Sequence, residues 1–150
     1  MISIVDDDES VRESTKALVR SLGYDARGFA SAEDFLASNI DETSCLILDV
    51  QMTGLSGIEL QDHLIAQGCQ TPIIFVTSFP DERIRERALS AGAVGFLGKP
   101  FSDSKLTSYL DSALAAYPKK ICPLITLTRA IARLTSWVGH PPPALLNHSI

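Results

Sequence analysis

Short apolar runs alternate with longer amphipathic stretches from residue 1 to about 117. The runs "ISIV" (2 to 5), "DARGFA" (25 to 30), "CLILD" (45 to 49), "PIIFVT" (72 to 77) and "VGFL" (94 to 97) predict strands. The first, third and fourth are continuously apolar, as strands buried on both faces of a parallel sheet tend to be. The intervening stretches predict helices near 9 to 22, 31 to 38, 57 to 67, 81 to 91 and 103 to 117. In the first, Val11, Thr15, Leu18 and Leu22 share a face and Arg12, Lys16 and Arg20 point elsewhere. The third is expected to bury Leu60 and Leu64, the fourth Ile84, Ala88 and Ala91, and the fifth Leu106, Leu110, Ala113 and Tyr117. "SAED" at 31 to 34 suits a capping-box start, Gly23, Gly68 and Gly92 suit helix stops, and Pro118 ends the fifth helix.

Five strand–helix units in succession imply an α/β fold, a doubly wound five-stranded parallel sheet with helices on both faces. Ligands of such sheets bind beyond the carboxyl ends of the strands, where the strand order reverses. Asp6, Asp7 and Asp8 follow the first strand, Asp49 ends the third, Thr77 and Ser78 follow the fourth, and Lys99 follows the fifth. Two carboxylates about 4 Å apart repel by roughly 4 kcal/mol at an effective dielectric of 20, so grouping Asp6, Asp7 and Asp49 calls for a countercharge or raised pKa values. A hard divalent cation such as Mg2+ fits oxygen donors of this kind. With it in place, Asp49 could attack a phosphoryl group whose oxygens meet Lys99 and Thr77. Asp8 and Glu9 are better read as the cap and first turn of the following helix than as part of the site.

The segments "IVDDDE" (4 to 9), "LILDVQMTGLSG" (46 to 57), "FVTS" (75 to 78) and "GFLGKPF" (95 to 101) resemble, in order and spacing, the receiver domain of two-component response regulators. That resemblance implies a flavodoxin-like fold and a stoichiometric phosphoacceptor rather than an enzyme, at most slowly self-phosphorylating and self-dephosphorylating. It implies Asp49 as the residue phosphorylated by a sensor histidine kinase, and Mg2+ held by Asp6, Asp7, Asp49 and the backbone carbonyl of Gln51. Thr77 would contact the phosphoryl group, Lys99 would pair with it, and Thr77 with Phe96 would form the switch. The Lys99–Pro100 bond would be cis. The altered surface would be that of the fourth helix, fifth strand and fifth helix, through which a homodimer could form. Gln51 and Phe79 fall at positions that tune phosphoryl lifetime. Thr53 departs from the proline of the family's "MPxxxG", which predicts a loop less preorganised than usual, whereas Gly57 is retained. A metal-dependent aspartyl phosphatase is a second reading, although such enzymes carry an aspartate where Gln51 stands. A pseudo-receiver that binds partners without phosphorylation is a third, against which the complete acid, threonine and lysine set argues.

The net charge of −5 conceals an asymmetry: residues 1 to 118 hold 9 basic and 18 acidic side chains, whereas 119 to 150 hold 4 basic and none acidic. The acidic part is a poor partner for nucleic-acid phosphates, so no direct nucleic-acid binding is expected. Residues 1 to 118 are read as the receiver domain and 119 to 150 as a C-terminal extension, either an amphipathic helix or a non-native tail. Leu124, Leu127, Ile131, Leu134 and Val138 recur at helical spacing, with Arg129 and Arg133 off the stripe, so 124 to 138 could pair with a second copy. Trp137 beside a basic face also permits an interfacial membrane helix, for which two arginines are few. Cys45, Cys69 and Cys122 show no metal or redox spacing and read as packing thiols, and His63, His140 and His148 show no ligand spacing. With no signal-like or membrane-spanning run, the expected location is the cytoplasm.

Overall fold

A computed structural model describes residues 1–116, in which five strands alternate with five helices. The order is β1 (Ile2–Val5), α1 (Glu9–Ser21), β2 (Ala26–Phe29), α2 (Ala32–Leu36), β3 (Cys45–Asp49), α3 (Gly57–Ala66), β4 (Ile73–Thr77), α4 (Glu82–Ser90), β5 (Gly95–Gly98) and α5 (Asp103–Ala116). The expected burial of Tyr117, the helix stop at Pro118, the helix expected over 124 to 138 and every other expectation for 119 to 150 lie outside the described residues.

The strands form one parallel sheet in the order β2-β1-β3-β4-β5. Alternation along each strand divides the core into two layers, because successive side chains leave a strand on opposite faces. Val5, Leu46, Leu48, Ile73 and Phe75 face Phe35 of α2, Leu60 and Leu64 of α3, and Ala88 of α4. Ile2, Ile4, Cys45, Ile47, Ile74 and Val76 face Val19 of α1 and Leu106, Leu110 and Ala113 of α5. Cys45 and Cys69 are buried in these layers, as packing thiols would be.

The loops that leave the strands end in helix caps, which fix each helix start beside the carboxyl rim of the sheet. Asp8 accepts from the Val11 N–H at 3.2 Å, Ser31 from Asp34 at 3.0 Å, Ser56 from Glu59 at 3.2 Å, and Asp81 from Arg83 at 2.8 Å. Each such cap typically contributes about 1 kcal/mol.

Several local expectations need correction. The second helix is only Ala32–Leu36, and a 3-10 turn at Ile40–Glu42 follows it. In α1 the most buried positions are Thr15 and Val19, while Arg12 and Lys16 are half-buried rather than turned away. Gly28 of β2 offers no side chain, and the stems of Arg12 and Lys16 lie over it, with the Arg12 guanidinium on the Asp6 carbonyl and the Lys16 ammonium 3.2 Å from Glu13. Ala91 caps α4 and is exposed instead of packing.

Candidate functional site

The sheet order reverses at β1, with β2 on one side and β3 on the other, so the ends of β1 and β3 flank the crevice where doubly wound sheets bind ligands. Asp6 follows β1 and Asp49 ends β3. Both are buried, at 2% and 5% exposure, whereas Asp7 is exposed. Lys99, the residue after β5, reaches across β4: its Nζ lies 2.7 Å from Asp6 Oδ2 and 3.5 Å from Asp49 Oδ1. Thr77 ends β4 fully buried, and its hydroxyl oxygen accepts from the Phe79 N–H at 3.1 Å.

Burial is the main force on Asp49. It pushes the carboxyl up to about 6, the neighbouring Asp6 adds to the rise, and Lys99 and the Gln51 N–H work against it. One ammonium therefore serves two buried carboxylates and leaves Asp7 to its own resources. A carboxylate oxygen from each of Asp6, Asp7 and Asp49 lies within 4.8 Å of the others. An octahedral Mg2+ with ligands at about 2.1 Å spans oxygens up to about 4.2 Å apart, so small side-chain movements would bring these three into its shell. The donors are all hard oxygens, which suits that ion.

Sequence reasoning missed several supports. The Arg12 guanidinium donates to the Asp6 carbonyl at 2.8 Å, and the Asp8 N–H donates to Asp6 Oδ1 at 2.9 Å, so Asp6 is held from backbone and side chain alike. The Leu55 N–H donates to Glu33 Oε1 at 2.9 Å and holds the Glu33 carboxyl below its usual range. The loop expected to be loose for want of a proline at 53 is thus tied to α2. It is tied to Asp7 as well, through the Thr53 N–H at 3.2 Å. Gly57 closes the loop with an N–H bond to the Val50 carbonyl at 2.9 Å. A Cβ at Gly57 would collide with the Asp49 carbonyl oxygen, so this close approach requires glycine. The Lys99–Pro100 peptide is cis. Phe96 lies half-buried beside Phe75, ring centroids 6.2 Å apart.

The sequence profile of the response regulator receiver domain matches residues 2–111. The chain belongs to that family. This receiver is 44% identical over 117 residues to nodulation protein W of Bradyrhizobium diazoefficiens, covering 77% of this chain and 50% of that protein. It is 40% identical over 115 residues to the transcriptional regulatory protein TdiR of Thauera aromatica, covering 76% of this chain and 51% of the other. It therefore spans about half the length of these curated relatives. Among solved structures, response regulator StyR superposes with a TM-score of 0.71 at 38% identity, covering 90% of this chain and 64% of that one. The structure of FixJ-N superposes at 0.68 and 33%, covering 75% and 90%. The sheet order and five helices of the receiver are those of the flavodoxin-like receiver fold. No helix among the described residues is long and apolar enough to cross a membrane.

Proposed function

We propose that this receiver accepts a phosphoryl group on Asp49 from the phosphohistidine of a sensor kinase. The new charge would then be relayed to the face built by α4, β5 and α5. The observation that carries the reading is the placement of Asp49: a carboxylate buried at the end of the central strand, 3.5 Å from an ammonium and grouped with two further acids.

Asp49 attacks in line with the bond to the departing imidazole. The O–P bond forms as the P–N bond breaks, and the electron pair leaves on the ring nitrogen. Lys99 donates to one equatorial oxygen, and the Thr77 hydroxyl, whose oxygen already accepts from Phe79, keeps its proton for another. Mg2+, held by Asp6, Asp7, Asp49 and the Gln51 carbonyl, would supply the remaining countercharge. The role is stoichiometric: a stable aspartyl phosphate is a signal, and turnover would erase it.

For output, Thr77 draws toward the phosphoryl group and the segment through Phe79 follows. Phe96 then turns into the space this opens next to Phe75. Shifting the domain from 1% to 99% active takes about 5.5 kcal/mol. Hydrogen bonds to a charged group contribute about 1.5–3 kcal/mol each, so about two to four suffice. The remodelled face would pair with a second copy or hand the signal to a partner.

Incubation with Mg2+ and a small-molecule phosphodonor should add one base-labile, acid-stable phosphoryl group, detected by intact mass. EDTA and Asp49→Ala should each abolish it. An equal mass gain in Asp49→Ala would remove the proposal.

A further inference from the structure

Thr53 lies in the loop between β3 and α3, and both of its donors face Asp7. The backbone N–H reaches Asp7 Oδ2 at 3.2 Å, and the hydroxyl lies 3.5 Å from the same oxygen. Among the described residues no lysine or arginine pairs with Asp7, which is the exposed member of the acidic group. The loop, by contrast, is held elsewhere: by Leu55 on Glu33, by Gly57 on Val50, and by Met52 and Leu55 packing against the core. The loop is therefore the anchor, and Asp7 is the group being held.

We infer that Thr53 is a positioning residue for divalent-cation binding. Its N–H, with the hydroxyl in support, occupies Asp7 Oδ2 and leaves the other carboxylate oxygen directed to the cation shared with Asp6 and Asp49. The inference rests on the metal reading given above. A proline in this place has no N–H to donate, so the chain's departure from the family pattern exchanges a stiff backbone for a direct restraint on a ligand. Hydrogen bonds that orient a ligating side chain from outside the coordination shell are typically worth about 10–100-fold in metal affinity. For a neutral donor on an exposed carboxylate, the lower end applies.

The test is Mg2+ titration of the full chain, followed by calorimetry and by amide chemical shifts. Thr53→Pro removes both donors and should raise the Kd about tenfold. Thr53→Ala keeps the N–H and should stay within about threefold, because the hydroxyl contact is long. Thr53→Pro matching the parent would overturn the inference, and so would Thr53→Ala weakening as far as Thr53→Pro. A parent that takes up no Mg2+ would instead overturn the metal reading beneath it. Should Thr53→Pro fail to fold, hydrogen exchange at the Thr53 amide in EDTA decides. Exchange several-fold slower in the parent than in Asp7→Ala supports the tether, and equal rates refute it.

Discussion

Asp49 is stabilised poorly by the fold that houses it, and replacing it with asparagine should therefore strengthen that fold. Its carboxyl is raised from 3.8 to about 6, mainly by burial and then by Asp6. At about 1.36 kcal/mol per unit, ionised Asp49 costs the metal-free protein up to about 3 kcal/mol. Asp49→Asn removes that cost but leaves an amide to be satisfied and takes one of two carboxylates from Lys99. A net gain of about 1–2 kcal/mol is expected, a rise in Tm of about 3–8 °C for a domain of this size. Because the folded pKa lies above the unfolded one, the folded state holds more protons between about pH 4 and 6, and stability falls as pH rises through that window. The cost that Asp49→Asn relieves should thus be complete at pH 7.5, about half as large at pH 5, and about one fifth as large at pH 4, so the net gain should fall to about zero near pH 5 and turn into a small loss at pH 4. Urea denaturation in EDTA at these three pH values measures it. Mg2+ should narrow the gap, since it binds the folded parent and stabilises it by mass action. No gain at pH 7.5, or a gain that stays constant down to pH 4, would refute the assignment of the raised pKa to a buried, repelled carboxylate.

Two further outcomes follow from the same geometry. Lys99→Ala strands Asp6 and Asp49 without their ammonium and should cost about 3 kcal/mol in metal-free urea melts. Adding Asp6→Asn should recover part of the loss, a coupling that a double-mutant cycle reads directly. Gly57→Ala drives a Cβ into the Asp49 carbonyl oxygen and should cost about 2–4 kcal/mol by the same melts. It should also slow phosphoryl uptake by displacing the end of β3, and an unperturbed Gly57→Ala would mean that the loop yields more easily than its hydrogen bond to Val50 implies.

The elements were legible because each carries its own local signal. β1, β3 and β4 are mostly apolar and buried along their length since both faces are covered, α3 buries Leu60 and Leu64, and α5 buries Leu106, Leu110 and Ala113, the positions their period marks among the described residues. The short strands at the sheet edges, β2 and β5, were located to within a residue or two. Where the reading slipped, a tertiary neighbour overrode the pattern: Gly28 of β2 draws the stems of Arg12 and Lys16 inward, a contact that periodicity within α1 cannot record.

By itself, the sequence determined a parallel α/β domain and the acids, hydroxyl and ammonium that end its strands, because strand-end residues in such a sheet must meet on one rim. It did not determine the pairing order β2-β1-β3-β4-β5, which depends on how faces fit rather than on any one stretch. Nor did it determine which acid is buried, how Lys99 divides itself between Asp6 and Asp49, or that Thr53 holds Asp7 across 46 residues of chain. Those outcomes are set by distances and desolvation between separate elements. They exist only once the sheet has closed around them.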